Sequence, residues 1–279
     1  MPWSLRASTK TVGLQTPVLQ FTKRDGISLG DLLGSCSVLG DTGSGKSTSA
    51  IYQIVSSLAC KSCGLLLTSV KPDDANKMAR FVGMSGRSDI HRFRLGVDAF
   101  NPLAHAQRTD RDQPGHLERI VELAMTPLRL QQQMGSTDPF FMYKAEYLIR
   151  ACIILLDTTG MTLSFELLHR AITTLPEDPA DACDPAWQSR SPVFDAIEKL
   201  DAQQGEMLAS PAVDRDVLRA IAVCLEELPA MPDRTRGSVI ATATSAWGPL
   251  LHGEVGRCVN TDHNTWTPEL IARDHGITI

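Results

Sequence analysis

The chain has 279 residues and a formal net charge of −5, and its composition is 43% hydrophobic, 21% charged and only 5% aromatic. These proportions are those of an ordinary globular protein, and the length suffices for one large domain or two smaller ones. They argue against a globally basic nucleic-acid-binding protein and against abundant aromatic stacking platforms, but a local basic groove is compatible with the net charge.

Seven cysteines are spread along the chain without the spacing of a small disulfide scaffold, and no secretory signal is recognisable. This favours a reducing compartment, so we expect a cytoplasmic protein. Cys60 and Cys63 form a CxxC, but no second CxxC or histidine pair completes a zinc site. We interpret them as residues between a helix and the next strand. No apolar run reaches the roughly 18 residues of a membrane span.

The first elements in chain order predict the beginning of a βαβ unit. Residues 1–34 predict an irregular lead-in with a strand-like piece at Val18–Phe21 and a turn at Arg24–Gly26. Residues 35–39 predict a short apolar strand before a glycine-rich loop. Apolar residues at helical spacing then predict a helix over Ser47–Ala59.

A second strand and helix follow. The continuous apolar run Gly64–Val70 predicts a buried parallel strand. Lys71–Asp74 ends this strand and caps a helix that continues to about Val82. The order strand, helix, strand, helix favours an α/β fold with a parallel sheet.

The character of the sequence changes after Phe100–Leu103, and from about residue 113 to 228 the pattern is overwhelmingly helical. The predicted helices are Leu117–Leu130, Pro139–Leu156, Ser164–Thr174, Pro192–Leu200 and Val213–Leu228. Gly237–Trp247 is helical or irregular, and Gly276–Ile279 predicts the start of another strand.

We therefore predict four segments. They are an N-terminal lead-in (1–34), the first part of a nucleotide-binding α/β core (35–112), an all-helical insertion (113–230) and an incomplete return to the core (231–279).

The glycine-rich loop matches the pattern GxxxxGKS/T at every fixed position. This pattern directs successive backbone N–H groups at phosphate oxygens and places the N-terminus of the following helix at the same point. We expect Lys46 to reach the β- and γ-phosphates of ATP and the Ser47 hydroxyl to bind Mg²⁺. The predicted nucleotide-binding residues are Gly40, Asp41, Thr42, Gly43, Ser44, Gly45, Lys46, Ser47 and Thr48.

Hydrolysis also needs a carboxylate near Mg²⁺ at the end of a neighbouring strand, and usually a glutamate that orients the attacking water. The run Cys152–Asp157 ends an apolar stretch on aspartate, as such a Walker B strand would. However, the apolar pattern continues upstream to Phe140, and Thr158 stands where the glutamate would follow. We therefore expect Asp157 near the C-terminal end of a long buried helix and keep it only as an alternative catalytic candidate.

Two other acidic pairs have structural explanations. Glu226 and Glu227 lie on a predicted helix and are interpreted as a solvated face. Asp73 and Asp74 follow the second predicted strand, so they could approach a nucleotide at the carboxyl edge of the sheet, or they could cap a helix. The catalytic carboxylate therefore stays unassigned.

Three segments together resemble a known group: LGDTGSGKST, GLLLTSVKPDDANKMARFVG and FRLGVDAFNPLAH. They are similar to the FtsK/HerA-type motor ATPases, and most of all to the TraG/TraD-like coupling proteins of conjugation and type IV secretion. In that group a lysine-proline-acidic segment follows the second strand, here Lys71–Asp73, and an Asn-Pro-Leu segment comes later, here Asn101–Leu103. The similarity runs from about residue 20 to the end, and the phosphate loop is its only highly specific part.

Two further stretches resemble the same group. Thr137–Phe141 opens a long helix, and Arg234–Val239 precedes Trp247–Leu250. The resemblance implies a RecA-like nucleotide-binding core with an all-helical insertion, assembled into a ring that is commonly a hexamer. It also implies a Walker B strand beyond Ile279 and, as partners, DNA and other components of a transfer or secretion system.

The chain departs from the group in two respects. It shows no Walker B element, which leaves hydrolysis by this chain open, and no N-terminal membrane anchor, which leaves membrane docking open. In ring motors an arginine of the neighbouring subunit often completes the site. Arg234, Arg236 and Arg257 are candidates for this role, or they solvate a face of the protein.

Two hypotheses follow from these patterns. The first is the nucleotide-binding part of a DNA-translocating or conjugative-transfer ATPase, and the second is a nucleotide-binding module or truncated partner subunit without hydrolysis. A GTPase is disfavoured because no NKxD element is present. The basic residues Arg87, His91, Arg92 and Arg94 could line a phosphate-tracking groove or form a solvated loop.

Overall fold

The computed structural model describes residues 12–41, 43–61, 63–69, 71–109, 111–135, 138–204, 215–272 and 276–279. The strands are β1 (Pro17–Gln20), β2 (Gly26–Ser28), β3 (Leu65–Leu66), β4 (Ile90–His91) and β5 (Ile277–Thr278). The α-helices are α1 (Leu29–Leu32), α2 (Tyr52–Ala59), α3 (Pro72–Gly83), α4 (Pro102–Thr109), α5 (His116–Met134), α6 (Pro139–Thr158), α7 (Phe165–Thr173), α8 (Pro185–Gln188), α9 (Pro192–Gln204), α10 (Arg215–Ala222), α11 (Asp233–Ser245), α12 (Gly248–Leu251), α13 (Gly253–Val259) and α14 (Glu269–Ala272). π-helical turns cover Ser47–Ile51 and Val223–Glu227, and a 3₁₀ turn covers Pro179–Cys183.

These elements form two compact units. One comprises the chain up to Arg94 together with Trp266–Ile279, and the other comprises Leu95–Thr265. The predicted helical insertion 113–230 lies inside the second unit, which begins earlier and ends later because α4 and α11–α13 also belong to it.

The first unit contains a three-stranded parallel sheet in the order β3-β5-β4. The expected strand at the end of the chain is confirmed, and it takes the central place, with Ile277 opposite both Leu65 and Ile90. Central strands of parallel sheets are covered on both faces, and Ile277 and Thr278 are accordingly buried. The mixed α/β character and the parallel sheet are therefore confirmed, with strands of only two residues each.

Two helices and a hairpin accompany this sheet. The predicted helices of this unit are confirmed as the turn at Ser47–Ile51 continued by α2 and as α3. Val55 and Ala59 of α2, Val82 of α3 and Ile277 form its small buried core. The strands β1 and β2 pair as an antiparallel hairpin around the predicted turn at Arg24–Gly26.

The predicted strand at residues 35–39 is wrong. No regular structure covers this segment, Ser35 has a φ of 86°, and Leu39 is 90% exposed. A positive φ at a residue with a side chain is incompatible with an extended strand. The phosphate loop therefore follows an irregular segment.

The predicted strand Gly64–Val70 is confirmed only in part. Leu65 and Leu66 alone form β3, Leu67 adds one backbone hydrogen bond to Thr278 O at 2.8 Å, and Val70 lies outside the described residues. The expectation of a fully buried strand is wrong, since Leu66 is 58% exposed.

The second unit is helical and is organised around α6. This helix is apolar on nearly all sides and contacts α5, α7, α9, α10 and α11, which is the behaviour expected of a helix in the centre of a bundle. The predicted helices are confirmed as α5, α6, α7 and α9 and, from Arg215 onward, as α10 with the turn at Val223–Glu227, since residues 213 and 214 lie outside the described residues. Gly237–Trp247, predicted as helical or irregular, is helical up to Ser245 as part of α11. Helices α4, α8, α12 and α13 are found in addition.

Within the described ranges, no helix is both long enough and apolar enough to cross a bilayer.

Candidate nucleotide-binding site

The phosphate loop lies between the irregular segment that ends at Asp41 and the π-helical turn Ser47–Ile51. Gly43 and Gly45 both adopt a φ of 84°, a left-handed conformation that is costly for any residue with a side chain. Thr42, one of the predicted binding residues, lies outside the described residues. The described glycines thus have the backbone freedom that a phosphate-binding loop requires.

Lys46 points its ammonium group back into this loop. Its Nζ donates hydrogen bonds to Gly40 O at 2.6 Å and Asp41 O at 2.7 Å. A backbone hydrogen bond from Ser44 N to Asp41 O closes the turn beneath it. The loop therefore wraps around a positive charge at the start of a helical segment, which is the arrangement that attracts a phosphate group.

The hydroxyl groups that follow Lys46 divide into two kinds. Thr48 Oγ1 and Ser49 Oγ both donate to Gly45 O, at 3.0 and 2.8 Å, and thereby fix the first turn after the loop. The Ser47 hydroxyl makes no hydrogen bond within the part of the chain that the structure describes. It is thus available as a ligand, and its role toward Mg²⁺ stays a prediction.

The residues present fit a magnesium ion that is held mainly by a nucleotide. Among the described residues, no three His, Cys, Asp or Glu side chains form a metal-binding group. Mg²⁺ is commonly held by few protein ligands together with substrate phosphates and water. Ser47 would supply the protein ligand of such an ion.

Tyr52 connects the helix after the loop to α3. The residue is 1% exposed, its ring stacks on Phe81 with centroids 4.8 Å apart, and its hydroxyl donates to Asp74 Oδ1 at 3.3 Å. Burial, together with the negative charge of Asp74, raises the pKa of Tyr52 above its usual range. Sequence reasoning missed this residue, because only the pairing of α2 with α3 shows that Tyr52 faces Asp74.

The two carboxylates of this segment have different surroundings. Asp74 accepts the Tyr52 hydrogen bond and lies 3.9 Å from Lys77 Nζ, whereas Asp73 is exposed in the first turn of α3. The predicted side-chain cap is wrong: the N-cap residue is Lys71, and no side chain caps it. Asp73 is therefore free to interact with a cation or a partner at this end of α3.

Replacing Tyr52 by phenylalanine should lower the free energy of unfolding by about 1 kcal/mol at pH 7, since one hydrogen bond to Asp74 is removed. A raised tyrosine pKa stabilises the folded state below pH 10, and this stabilisation disappears as the pH rises through the folded-state pKa. Urea denaturation of both proteins between pH 8 and pH 11 measures the effect. We expect the difference to shrink above about pH 10; a constant difference would contradict the assigned hydrogen bond.

Asp157 lies in α6, as the helical interpretation of its segment predicted, and it belongs to the helical unit. Its side chain is 8% exposed, accepts a hydrogen bond from Gln107 Nε2 at 2.9 Å and lies 3.3 Å from His116 Nε2. Gln107 also binds the turn after α6, donating to Met161 O and accepting from Leu163 N. This network ties α4, α5 and the α6–α7 connection together.

The candidate arginines differ in their surroundings. Arg236 has a side chain only 12% exposed, and its guanidinium group donates to Glu177 O and lies 3.0 Å from Asp233. It thus holds the start of α11 in place. Arg234 is exposed on the same helix, and Arg257 is exposed beside a polar cavity of about 610 Å³.

Two residues of the predicted basic cluster, Arg87 and Arg92, form contacts within the first unit. Arg87 forms a two-pronged ion pair with Asp89 and donates to Cys63 O at 2.7 Å. The Arg87 guanidinium lowers the pKa of Asp89 below its usual range. Arg92 contacts Asn76 Oδ1 at 3.3 Å. The hydrogen bond from Arg87 to Cys63 O holds the end of the CxxC segment in place. This segment joins α2 to β3, as predicted, and Cys60 and Cys63 are free thiols.

In comparisons with protein-family models, curated proteins and solved structures, none matches this chain.

Proposed function

We propose that the chain binds Mg-ATP through the loop Gly40–Ser47. The observation that carries this proposal is the position of Lys46, whose ammonium group lies inside a glycine loop that leads directly into a helical segment. A lysine, a free serine hydroxyl and backbone amides at a helix start form the donor set that a nucleotide triphosphate with Mg²⁺ requires.

The wider role that we propose is the nucleotide-binding part of a RecA-like, DNA-translocating or conjugative-transfer motor that works as a ring. Its support is the resemblance of the phosphate loop and its neighbouring segments to such motors, together with a parallel sheet whose central strand lies at Ile277–Thr278. The free cysteines support a reducing, cytoplasmic setting.

A non-catalytic nucleotide-binding module is the second candidate. The observation that favours it concerns Asp157, which lies within a helix and is engaged by Gln107 and His116 instead of ending a strand. If Asp157 only stabilises the packing of the helical unit, it is not the catalytic carboxylate, and the chain would bind ATP without hydrolysing it.

Calorimetric titration with ATP in the presence and absence of Mg²⁺, followed by phosphate-release assays with single- and double-stranded DNA, tests both candidates. We expect saturable binding of Mg-ATP, which Ser47→Ala weakens only when Mg²⁺ is present. Turnover that rises with DNA would support the motor, and binding without turnover would support the module. Absence of ATP binding at millimolar nucleotide would refute both.

A further inference from the structure

The segment that joins α2 to β3 carries two cysteines, Cys60 and Cys63, which are three residues apart. Both residues are half-buried, and both thiols are free. They are thus accessible to small molecules in solution. The proposed nucleotide site does not use them, because α2 follows the phosphate loop and the cysteines come at its other end.

The backbone hydrogen bonds at the end of α2 bring these two cysteines close together. Lys61 N and Cys63 N both donate to Leu58 O, at 3.0 and 3.4 Å, so the chain stays wrapped around the last turn of the helix. Bonds of this kind are typical of helix C-terminal caps. Residues three apart in a turn have Cα atoms less than about 7 Å apart, which is the separation that a disulfide can bridge.

Contacts outside the turn fix the position of Cys63. Arg87 donates to Cys63 O at 2.7 Å while it also binds Asp89. On the other side, Lys61 Nζ donates to Ser57 Oγ at 2.7 Å, which holds the residue between the two cysteines against α2. The native structure therefore restricts the distance between the thiols more than an unfolded chain would.

The surroundings of the pair favour oxidation over metal binding or catalysis. Within the described ranges, no further His, Cys, Asp or Glu completes a metal-binding group with these thiols. The pair stands at the C-terminal end of α2, where the helix dipole opposes a negative charge. Catalytic CxxC pairs instead have a thiolate that is stabilised at a helix N-terminus. This geometry suits an oxidation that happens once per molecule and is then reversed.

The remaining cysteines do not combine access with a close partner in sequence. Three are buried and two are exposed, namely Cys152, Cys224 and Cys258, and Cys36 and Cys183. Burial protects a thiol from oxidants that are dissolved in water. An exposed cysteine without a neighbouring thiol forms a mixed disulfide and stops there.

We propose that Cys60 and Cys63 form a reversible redox site, which exchange with a small-molecule disulfide such as oxidised glutathione converts into an intramolecular disulfide. First, the thiolate of one cysteine attacks a sulfur of oxidised glutathione, whose S–S bond breaks and releases one glutathione. The second cysteine then attacks the protein sulfur of this mixed disulfide and expels the other glutathione. The two protein thiols lose two electrons to oxidised glutathione, and their two protons end on the two glutathione thiols.

The short loop between the cysteines makes this disulfide reversible. The stability that a disulfide adds grows with the length of the loop it closes, so a CxxC disulfide gains little from chain entropy. Disulfides that are exposed or strained are also the ones that reductants open most easily. The pair is therefore reduced in a reducing compartment and responds when oxidised glutathione accumulates. Its oxidation links the end of α2 to the segment that leads into β3, independently of ATP binding.

The test is thiol mapping of the full chain in its native state. The reduced protein is equilibrated with oxidised glutathione, the remaining thiols are alkylated, and tryptic peptides are identified by mass spectrometry. Trypsin cuts after Lys61, so a disulfide between Cys60 and Cys63 joins two peptides that separate on reduction. We expect these linked peptides in the wild type, and we expect dithiothreitol to remove the link.

Three variants separate the intramolecular disulfide from simple modification of an accessible thiol. Cys60→Ser and Cys63→Ser should each lack the linked peptides. Each should retain glutathione on the remaining cysteine of the pair at about 5-fold or more above the wild-type level, because no second thiol expels it. Cys36→Ser is the matched control, since Cys36 is exposed in the same unit, and it should form the linked peptides to the wild-type extent.

The same equilibration in denaturing urea tests the contribution of the folded turn. We expect the equilibrium constant for the disulfide to fall about 5-fold or more on unfolding, because the hydrogen bonds to Leu58 O no longer hold the cysteines together. Four results would overturn the proposal. They are no reaction of either cysteine, lasting glutathione adducts on both without a link, a link from either to another cysteine, and an equilibrium constant that urea does not change.

Discussion

Lys46→Ala is expected to lower the affinity for Mg-ATP by about 30-fold or more, because removing one member of a hydrogen-bonded charge pair costs about 2 kcal/mol or more. In the structure the ammonium group of Lys46 donates hydrogen bonds to Gly40 O and Asp41 O. A bound triphosphate would exchange these neutral acceptors for charged oxygens, which form stronger hydrogen bonds. Calorimetric titration of both proteins with Mg-ATP measures the difference.

The fold should be unaffected by this substitution. The loop around Lys46 is largely exposed, so water can replace the two hydrogen bonds to the carbonyl groups. We expect the free energy of unfolding to change by no more than about 0.5 kcal/mol. Lys77→Ala is the matched control, since this lysine belongs to the same unit, is 57% exposed and only borders Asp74. Equal weakening by both variants would show that ATP binding depends on net charge and not on the loop.

The parts of the molecule that were predictable from sequence are those with local causes. The helices α5, α6 and α9 follow from apolar periodicity over many residues, which depends on no partner elsewhere in the chain. The glycine loop is recognisable because Gly43 and Gly45 need backbone angles that other residues avoid.

The failures concern elements whose structure depends on partners. A strand exists only where another strand accepts its hydrogen bonds, and residues 35–39 have no partner among the described strands. The expected strand Gly64–Val70 is shorter than its apolar run for the same reason, since only Leu65 and Leu66 of that run are paired in register with β5. Tyr52 and Asp74 are 22 residues apart, and no local pattern connects them.

The candidate site likewise combines residues that are recognisable from a local pattern with contacts that only the structure shows. Sequence identifies Lys46 and Ser47 by pattern, but it does not show that the Ser47 hydroxyl is unengaged while those of Thr48 and Ser49 bind Gly45 O. The pairing of Arg236 with Asp233 and Glu177 O is also invisible in the sequence. Arg236 therefore stabilises the start of α11, whereas Arg234 is exposed on the same helix.

Asp157→Ala is expected to lower the free energy of unfolding by about 2–4 kcal/mol, because it leaves the buried Gln107 amide without its acceptor and removes the carboxylate that lies beside His116. Asp157→Asn retains an acceptor oxygen for Gln107 and should cost less, about 1 kcal/mol. Urea denaturation measures both. Asp195→Ala, an exposed aspartate on α9, is the matched control and should change stability by about 0.5 kcal/mol or less.

The asparagine variant also decides between packing and catalysis at this position. If Asp157 serves the packing of α4, α5 and α6, Asp157→Asn keeps Mg-ATP affinity and whatever turnover the wild type shows. If it serves as the Walker B carboxylate, the same variant binds ATP and loses turnover, because an amide cannot replace the charge beside Mg²⁺. The hydrogen bond from Gln107 and the helical setting within a buried core favour the first result. If the wild type hydrolyses ATP, its catalytic carboxylate is then a residue other than Asp157.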